Sequence, residues 1–183
     1  MFKYFSFFLL FIFCWTLPGY GQANEIQTDK WRKFVNIGFE FMMPYTTTSS
    51  LSSLDRYNKI SKLFPDTKSY PLLRYRSNTE GFDCTVSVVA FEPSVLASER
   101  NITERLFNPI KEQIEGHENA NILHESVSNV KGNTKLKLQV KVPQGTITLI
   151  YWVCEQYVIS IYLEDDSKEL TSTKFFEEHF RFY

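Results

Sequence analysis

Lysine side chains occupy alternate positions of one segment in the C-terminal half of the chain. Lys135, Lys137 and Lys141 alternate with the apolar residues Leu136, Leu138, Val140 and Val142. This alternation is typical of a half-buried β-strand, on which side chains of one face lie about 7 Å apart and one face meets water. Such a row of ammonium groups suits docking of an acidic protein or an anionic envelope component. It equally suits a solvated face that discourages edge pairing. Lys135, Lys137 and Lys141 are therefore the candidate binding residues, and both interpretations stay open.

Two cysteines, Cys84 and Cys154, lie in predicted strands beyond the N-terminal segment. An even number of cysteines in an oxidising compartment permits a disulfide. The bridge would close a loop of about 70 residues and contribute roughly 4 kcal/mol, provided that the two strands are neighbours with matching faces. The alternative is a pair of separate buried thiols. A nucleophilic cysteine would further need a histidine within hydrogen-bond reach and a lowered pKa.

Histidines are too few and too scattered to predict a metal site. His124-Glu125 begins like a zinc-protease motif, but Ser128 stands where the second histidine is required. His117 belongs to a predicted helix end, and His179 to the last predicted helix. The sequence therefore predicts no bound metal and no cofactor.

The acidic pair Asp165-Asp166 follows a predicted strand, which favours turn formation and helix capping over catalysis. The chain also lacks the Gly-x-Ser-x-Gly motif of a nucleophile elbow. We therefore predict no catalytic residues. A secreted hydrolase without a recognisable motif remains the alternative, and a pocket that gathers two or more of the three histidines, Asp165 and Asp166 would favour it.

Alternating apolar residues predict most of the strands. Trp31 to Met43 is strand-like, with a turn at residues 36–38, and Phe82 to Phe91 is apolar on both faces, as in a covered central strand. A meander of strands follows in the C-terminal half. Its short connections require antiparallel pairing. The predicted strands of this meander are Ile122 to Val130, Leu136 to Val142, Thr146 to Val153 and Tyr157 to Leu163.

Three helices are predicted around these strands. A short one begins near Ser52 and stops at Pro65, and a long one begins with the capping box Asn101–Glu104 and ends near Gly116. Pro109 should kink the long helix or restart it. A final helix, capped by Asp166, reaches about His179. The predicted fold class is α+β, a predominantly antiparallel sheet packed by one long and two shorter helices.

Residues 1–23 have the layout of a secretory signal peptide. Lys3 precedes a nearly unbroken apolar run from Tyr4 to Trp15, and Gly21-Gln22-Ala23 offers small residues at a cleavage site. We expect a flexible tail over residues 24–32 and a single globular domain over residues 33–183. Cleavage would leave no stable transmembrane anchor, because a spanning helix needs about 20 apolar residues. The 160 remaining residues carry 19 basic and 21 acidic side chains, which excludes the basic excess typical of nucleic-acid binding.

Four segments of the chain follow one another in a characteristic order. They are the opening strand Gly38–Pro44 with its proline stop, the central strand Phe82–Phe91 before the long helix, the strand Tyr157–Tyr162, and the closing segment Phe175–Phe182. This order resembles that of the PsbP/Mog1-like superfamily of α/β/α sandwiches, which includes secreted bacterial proteins of the DcrB type. The resemblance spans roughly Phe34 to Phe182. It departs at Tyr45, where members often have a tryptophan soon after the proline, and at His179-Phe180, where they often have Ser-Phe.

This resemblance implies a Mog1/PsbP-like α/β/α sandwich and a role in binding or assembly, and it transfers no functional residue. Together with the predicted leader, it favours an exported, non-enzymatic binding or assembly protein of the cell envelope, secreted or periplasmic. One version is an immunity or inhibitor protein. The expected partner is a protein or an anionic envelope component.

Overall fold

The computed structural model describes residues 30–36, 38–50, 69–91, 102–155, 157–167 and 169–183. The predicted signal peptide and the predicted helix that begins near Ser52 lie outside the described residues. The end of the predicted tail is structured, since Trp31 and Arg32 are the first residues of a strand and Trp31 is buried.

Seven strands form the larger sheet, and every neighbouring pair is antiparallel. In space their order is β3–β4–β5–β9–β8–β7–β6, so β5 and β9 lie at the centre and β6 forms one edge. The strands are β3 (Thr48–Ser50), β4 (Ser69–Thr79), β5 (Phe82–Phe91), β6 (Asn121–Val130), β7 (Asn133–Val142), β8 (Gly145–Val153) and β9 (Tyr157–Asp165). The meander and its antiparallel pairing agree with the sequence-based prediction.

A second, three-stranded sheet joins both ends of the described chain. The hairpin of β1 (Trp31–Val35) and β2 (Phe39–Pro44) pairs with the short strand β10 (Arg181–Phe182), which lies on the other side of β2. The turn between β1 and β2 contains Gly38, whose φ of +88° is a conformation that glycine adopts without strain. A Cβ at this position would also lie 2.9 Å from the Tyr157 hydroxyl.

Two helical segments are present among the described residues. The first combines a π-helical stretch, Thr103–Phe107, with α1 (Asn108–Glu115), and Pro109 falls in the first turn of α1 rather than interrupting it. The second is α2 (Thr171–Glu178). The sequence predicted a helix capped by Asp166, but α2 begins at Thr171 and Leu170 holds the N-cap position. The carboxylate that accepts hydrogen bonds from the backbone N–H groups of Ser167 and Thr173 belongs to Asp165, not to Asp166.

Different elements cover the two faces of the larger sheet. On one face, called the helix face, Leu136, Leu138 and Val140 pack with Leu106 and Phe107 of the first helical segment. On the other, called the lysine face because it carries Lys135, Lys137 and Lys141, the central strands pack against the small sheet and α2. Aromatic rings dominate this second layer: Trp31, Phe39, Phe41, Tyr75, Trp152, Phe176 and Phe182. The described residues thus form an α+β fold that is mostly antiparallel, with the first helical segment on one face of the larger sheet and α2 beside the small sheet on the other.

The central strand β5 is buried along nearly its whole length, as its sequence predicted. Cys84, Val86 and Val88 point to the lysine face, whereas Val89 and Phe91 point to the helix face. A strand covered on both sides needs apolar side chains at successive positions, and this is why its sequence alternates so weakly.

Candidate interaction surface at the β6–β7 edge

Lys135 and Lys137 lie on a covered part of the lysine face. The register of β7 and β8 places Lys135 opposite Trp152 and Lys137 opposite Ile150, two buried core residues. Each lysine side chain is only 22% exposed. The expectation that the lysine-bearing side of β7 meets water is therefore wrong at these two positions, because α2 packs over them.

Glu177 of α2 is the counter-ion of both lysines. The Lys137 ammonium donates a hydrogen bond to Glu177 Oε2 at 2.7 Å, and Lys135 Nζ lies 3.9 Å from Oε1. Lys135 Nζ also lies 5.2 Å from the centre of the Trp152 ring, where a cation is attracted by the π face. Burial lowers the pKa of Lys135, the neighbouring Lys137 lowers it further, and Glu177 opposes both effects. These contacts hold α2 against the sheet.

Lys141 differs from the other two lysines. It is exposed, lies near the end of β7 and makes no ion pair with any residue in the described part of the chain. Its cross-strand neighbours are the uncharged Asn121 and Thr146. Of the three lysines of the predicted stripe, Lys141 is the one whose charge is available to another molecule.

Strand β6, next to β7, is the exposed edge of the larger sheet. It is ten residues long, and β7 is its only partner among the described strands. Nine of the ten residues are exposed, including the large apolar side chains of Leu123, Val127 and Val130. The opposite edge, β3, has only three residues. Natural edge strands are protected by short length, lysine, proline or a bulge. Of these β6 has only a bulge near its start, between Ile122 and His124, so the stretch from His124 to Val130 is open to pairing with another extended chain.

The two faces of β6 carry different side chains. Beyond a bulge between Ile122 and His124, the register places Ser126 and Ser128 on the lysine face, opposite Lys137 and Lys135. The same register places Glu125, Val127 and Asn129 on the helix face. Glu125 is the only acidic residue of β6, and it pairs with Lys111 of α1 at 3.0 Å.

Cys84 and Cys154 are free, buried thiols in the same core cluster. Cys84 lies opposite Leu163 of β9, whereas the backbone of Cys154 bonds to Tyr157 at the other end of β9. Six residues of strand separate these two positions, or about 20 Å. A disulfide joins Cα atoms about 4.4–6.8 Å apart, so the bond that the sequence left open is not formed in this structure.

Burial also keeps both thiols protonated. It raises the pKa of Cys84 well above its ordinary value, with a smaller contribution from Asp83. Burial raises the pKa of Cys154 to about 12, and a hydrogen bond with Tyr157 opposes the shift. Nucleophilic cysteines work as thiolates, so neither residue has the environment of a reactive cysteine.

The histidines and the acidic pair occupy separate places. His117 and His124 are exposed, on the loop after α1 and on β6, whereas His179 packs on the Phe175 ring and its Nδ1 lies 2.8 Å from the Phe175 carbonyl. Asp165 is engaged in the hydrogen bonds before α2. No group of three or more potential metal ligands occurs within the described ranges. The gathering of residues that would favour a hydrolase is absent from this part of the chain.

A cleft of about 230 Å³ lies beside the small sheet. The Lys131 ammonium, one of its lining groups, donates a 2.6 Å hydrogen bond to the Phe182 carbonyl. Burial raises the pKa of Tyr157 to about 12, with smaller contributions from Cys154 and Tyr183. Neither the histidines nor Asp165 and Asp166 contribute to the lining, which consists of Gly38, Lys131, Asn133, Cys154, Glu155, Tyr157, Phe182 and Tyr183.

Sequence reasoning predicted β6 as a strand but missed that it is an edge. The available signal was composition, because six of the ten residues of β6 are polar, whereas only three of the ten residues of β5 are. Polar residues at both odd and even positions indicate that neither face of a strand is fully covered.

The fold of this chain is similar to that of solved proteins. The solution structure of cyanobacterial PsbP (CyanoP) from Synechocystis sp. PCC 6803 matches with a TM-score of 0.53 and 11% sequence identity, covering 90% of this chain and 99% of that one. No family model matches the chain. No curated protein matches it either. The PsbP-like fold expected from the order of strands and helices is thereby confirmed.

None of the helices described here is long and apolar enough to cross a membrane.

Proposed function

We propose that this chain is an exported, non-enzymatic binding or assembly protein of the cell envelope. The observation that carries the proposal is the surface formed by β6 and Lys141, which we call the β6–Lys141 surface. It combines a ten-residue edge strand that pairs on one side only among the described strands, exposed apolar side chains and a lysine without a described counter-ion. The rest of the described sheet has its faces largely covered by helices or by the small sheet.

The chemistry of the described residues supports a binding role. The two thiols are buried and resist ionisation, and the three histidines and Asp165 lie on different elements of the fold. An extended partner chain along β6 would cover the exposed apolar side chains of Leu123, Val127 and Val130. The PsbP-like fold, which the sequence resemblance associates with binding or assembly, agrees with this interpretation.

The predicted signal peptide supports a secreted or periplasmic location. In such a compartment the partner is a protein or an anionic envelope component, and Lys141 supplies the charge that attracts it. One version of this function is an immunity or inhibitor protein that covers a secreted toxin. The fuller description of the fold as an α/β/α sandwich of the Mog1/PsbP type also belongs to this proposal.

The export part is tested by N-terminal sequencing of the protein recovered outside the cytoplasm. The expected first residue is near Asn24, since the predicted cleavage site follows Ala23. Protein that retains Met1 in the envelope fraction would contradict the predicted cleavage.

The binding part is tested by cross-linking the exported protein to its own envelope fraction at low and high salt. We expect Lys141→Glu to weaken cross-linking, because Lys141 is the one lysine of the three on β7 that makes no ion pair with a described residue, and the substitution reverses its charge. Lys174→Glu, a matched reversal at an exposed position of α2, should leave cross-linking unchanged. Equal cross-linking by the wild-type protein and Lys141→Glu at both salt concentrations would contradict a role for Lys141 in binding.

A further inference from the structure

We infer that β6 binds an extended acidic peptide segment of a partner by strand addition. The inference rests on the proposed binding function and specifies its partner. The docked segment would form an eighth strand, antiparallel to β6, with acidic side chains on the lysine face and apolar side chains on the helix face.

The backbone of β6 supplies the main attraction. In an antiparallel sheet, successive residues direct their N–H and C=O groups to alternate sides, so about half of the groups of β6 point away from β7. These groups have no strand partner among the described residues. An incoming extended chain satisfies them with main-chain hydrogen bonds, which is the mode by which many domains recognise peptides.

The bulge in β6 defines the usable length. The register is continuous from His124 to Val130 and shifts between Ile122 and His124. A bulge bends a strand and disrupts pairing at that point. The regular seven residues can therefore pair with a segment of similar length.

Charge on the lysine face selects acidic side chains. Opposite the regular part of β6 this face carries Lys135 and Lys137, which share one described carboxylate, Glu177. Lys141, without a described ion pair, lies just beyond the bulge, so a net positive charge remains beside β6. An added strand would lie about 10 Å from β7, which long acidic and lysine side chains can bridge. On the helix face, the added strand meets the exposed Val127, which favours apolar side chains there.

A second copy of this chain fits the same edge less well. The only charged residue of β6 at neutral pH is Glu125, and it lies on the helix face and is paired with Lys111. A second β6 would therefore bring no acidic side chain to the lysine face. It would also bring a second set of β7 lysines to the same side of the combined sheet.

The test uses fluorescence anisotropy with labelled nine-residue peptides of alternating glutamate and valine. Two control peptides accompany it: one replaces glutamate by lysine, and the other keeps the side chains but carries N-methyl groups on alternate backbone nitrogens. The glutamate peptide should bind at least about tenfold more tightly than the lysine peptide, because like charges facing each other are strongly unfavourable. The N-methylated peptide should not bind measurably, since it cannot complete the strand hydrogen bonds.

Two matched variants locate the binding site. Val127→Lys places a charged side chain on the exposed edge strand. It should weaken binding of the glutamate peptide by about tenfold or more, because lysine on an edge strand opposes pairing with another strand. Val35→Lys makes the same change at an equally exposed valine of the small sheet and should leave binding unchanged. Bound peptide should also slow hydrogen exchange in β6 and leave exchange in β9 unaffected.

Several results would overturn the inference, each in a distinct way. Equal binding of the N-methylated peptide would show that charge alone acts, and equal binding of the lysine peptide would remove the acidic specificity. If the wild-type chain self-associates and Val127→Lys abolishes this, the edge binds a second copy of the chain.

Two further results separate the inference from the proposed function. Failure of every peptide to bind, with envelope cross-linking still sensitive to Lys141→Glu, would overturn strand addition and leave the proposed function standing. Loss of both responses would overturn both.

Discussion

Strands β9 and β6 belong to the same sheet but differ in how many strands they pair with and in how many of their residues are buried. β9 pairs along its length with β5 and β8, and six of its nine residues are buried. β6 pairs with β7 alone, and nine of its ten residues are exposed. The number of neighbours, rather than strand length, decides how much apolar surface a strand removes from water. The centre of the sheet therefore carries the stability of the domain, and the β6 edge is free to carry binding.

Hydrogen exchange should show the largest difference between the two strands. Amides of β9 exchange only when much of the fold opens, whereas the outward amides of β6 are bonded to no described strand. We expect those β6 amides to exchange on the order of 1,000-fold faster than the β9 amides, as measured by NMR in the free protein. Equal protection along β6 and β9 would mean that another part of the chain covers the edge.

Truncating a buried side chain of β7 should lower the free energy of unfolding much more than truncating an exposed side chain of the neighbouring edge strand β6. Leu138 on β7 is fully buried, and Leu138→Ala should lower the free energy of unfolding by about 3 kcal/mol. Val127 on β6 is 54% exposed, and Val127→Ala should change the same quantity by less than about 0.5 kcal/mol. Urea unfolding at neutral pH measures both. Similar losses for the two variants would remove the distinction between covered and open strands.

Charge reversal should separate the paired lysines of β7 from Lys141. Lys137→Glu places a carboxylate where the ammonium now bonds to Glu177, so one attraction is lost and one repulsion is added. For a half-buried pair we expect a loss of about 2 kcal/mol in unfolding free energy. Lys141→Glu, at an exposed position, should cost less than about 0.5 kcal/mol. A Lys137→Glu protein as stable as the wild type would show that Glu177 does not hold α2 to the sheet.

Alkaline pH should destabilise the centre of the sheet through its thiols. Burial raises the pKa of Cys84 and Cys154 above the ordinary value of 9.0, so the unfolded chain releases these protons at lower pH than the folded protein does. Stability is then fully present below pH 9 and falls as pH rises above it, by roughly 1 kcal/mol per thiol at pH 10. The lowered pKa of Lys135 acts in the opposite direction below its ordinary value of 10.5.

Urea midpoints under reducing conditions between pH 7.5 and pH 10 measure this decline. The double variant Cys84→Ala, Cys154→Ala should show a flatter profile, whereas Ser126→Ala on the edge strand should keep the wild-type slope. An unchanged slope in the double variant would contradict the assignment to the thiols.

The sequence predicted the strands well because their apolar alternation reflects burial directly. Apolar patterns predicted both the meander from Ile122 to Leu163 and strand β5, which is covered on both faces. The order of strands within the sheet was not predictable, since alternation shows which residues share a face and not which strand lies alongside. This is why β6 was recognised as a strand but not as an edge.

The lysine stripe shows the corresponding limit for the candidate site. Alternation correctly grouped Lys135, Lys137 and Lys141 on one face, but the element that covers that face lies 40 residues further along the chain. Glu177 had no local pattern linking it to β7. The start of α2 at Thr171 was missed for a similar reason, since the prediction placed the cap at Asp166. Asp165 and Asp166 are equivalent in sequence, and only the structure shows that Asp165 bonds to the backbone of the first turn of α2.

The small sheet unites residues that are far apart in the chain. Phe39 of β2 pairs with Phe182 of β10, more than 140 residues later. Contacts of such long sequence separation form slowly, because the chain must lose much conformational freedom before they stabilise it. The aromatic layer on the lysine face therefore closes late in folding, and until then its phenylalanine and tryptophan rings stay accessible to any chaperone that accompanies the nascent domain.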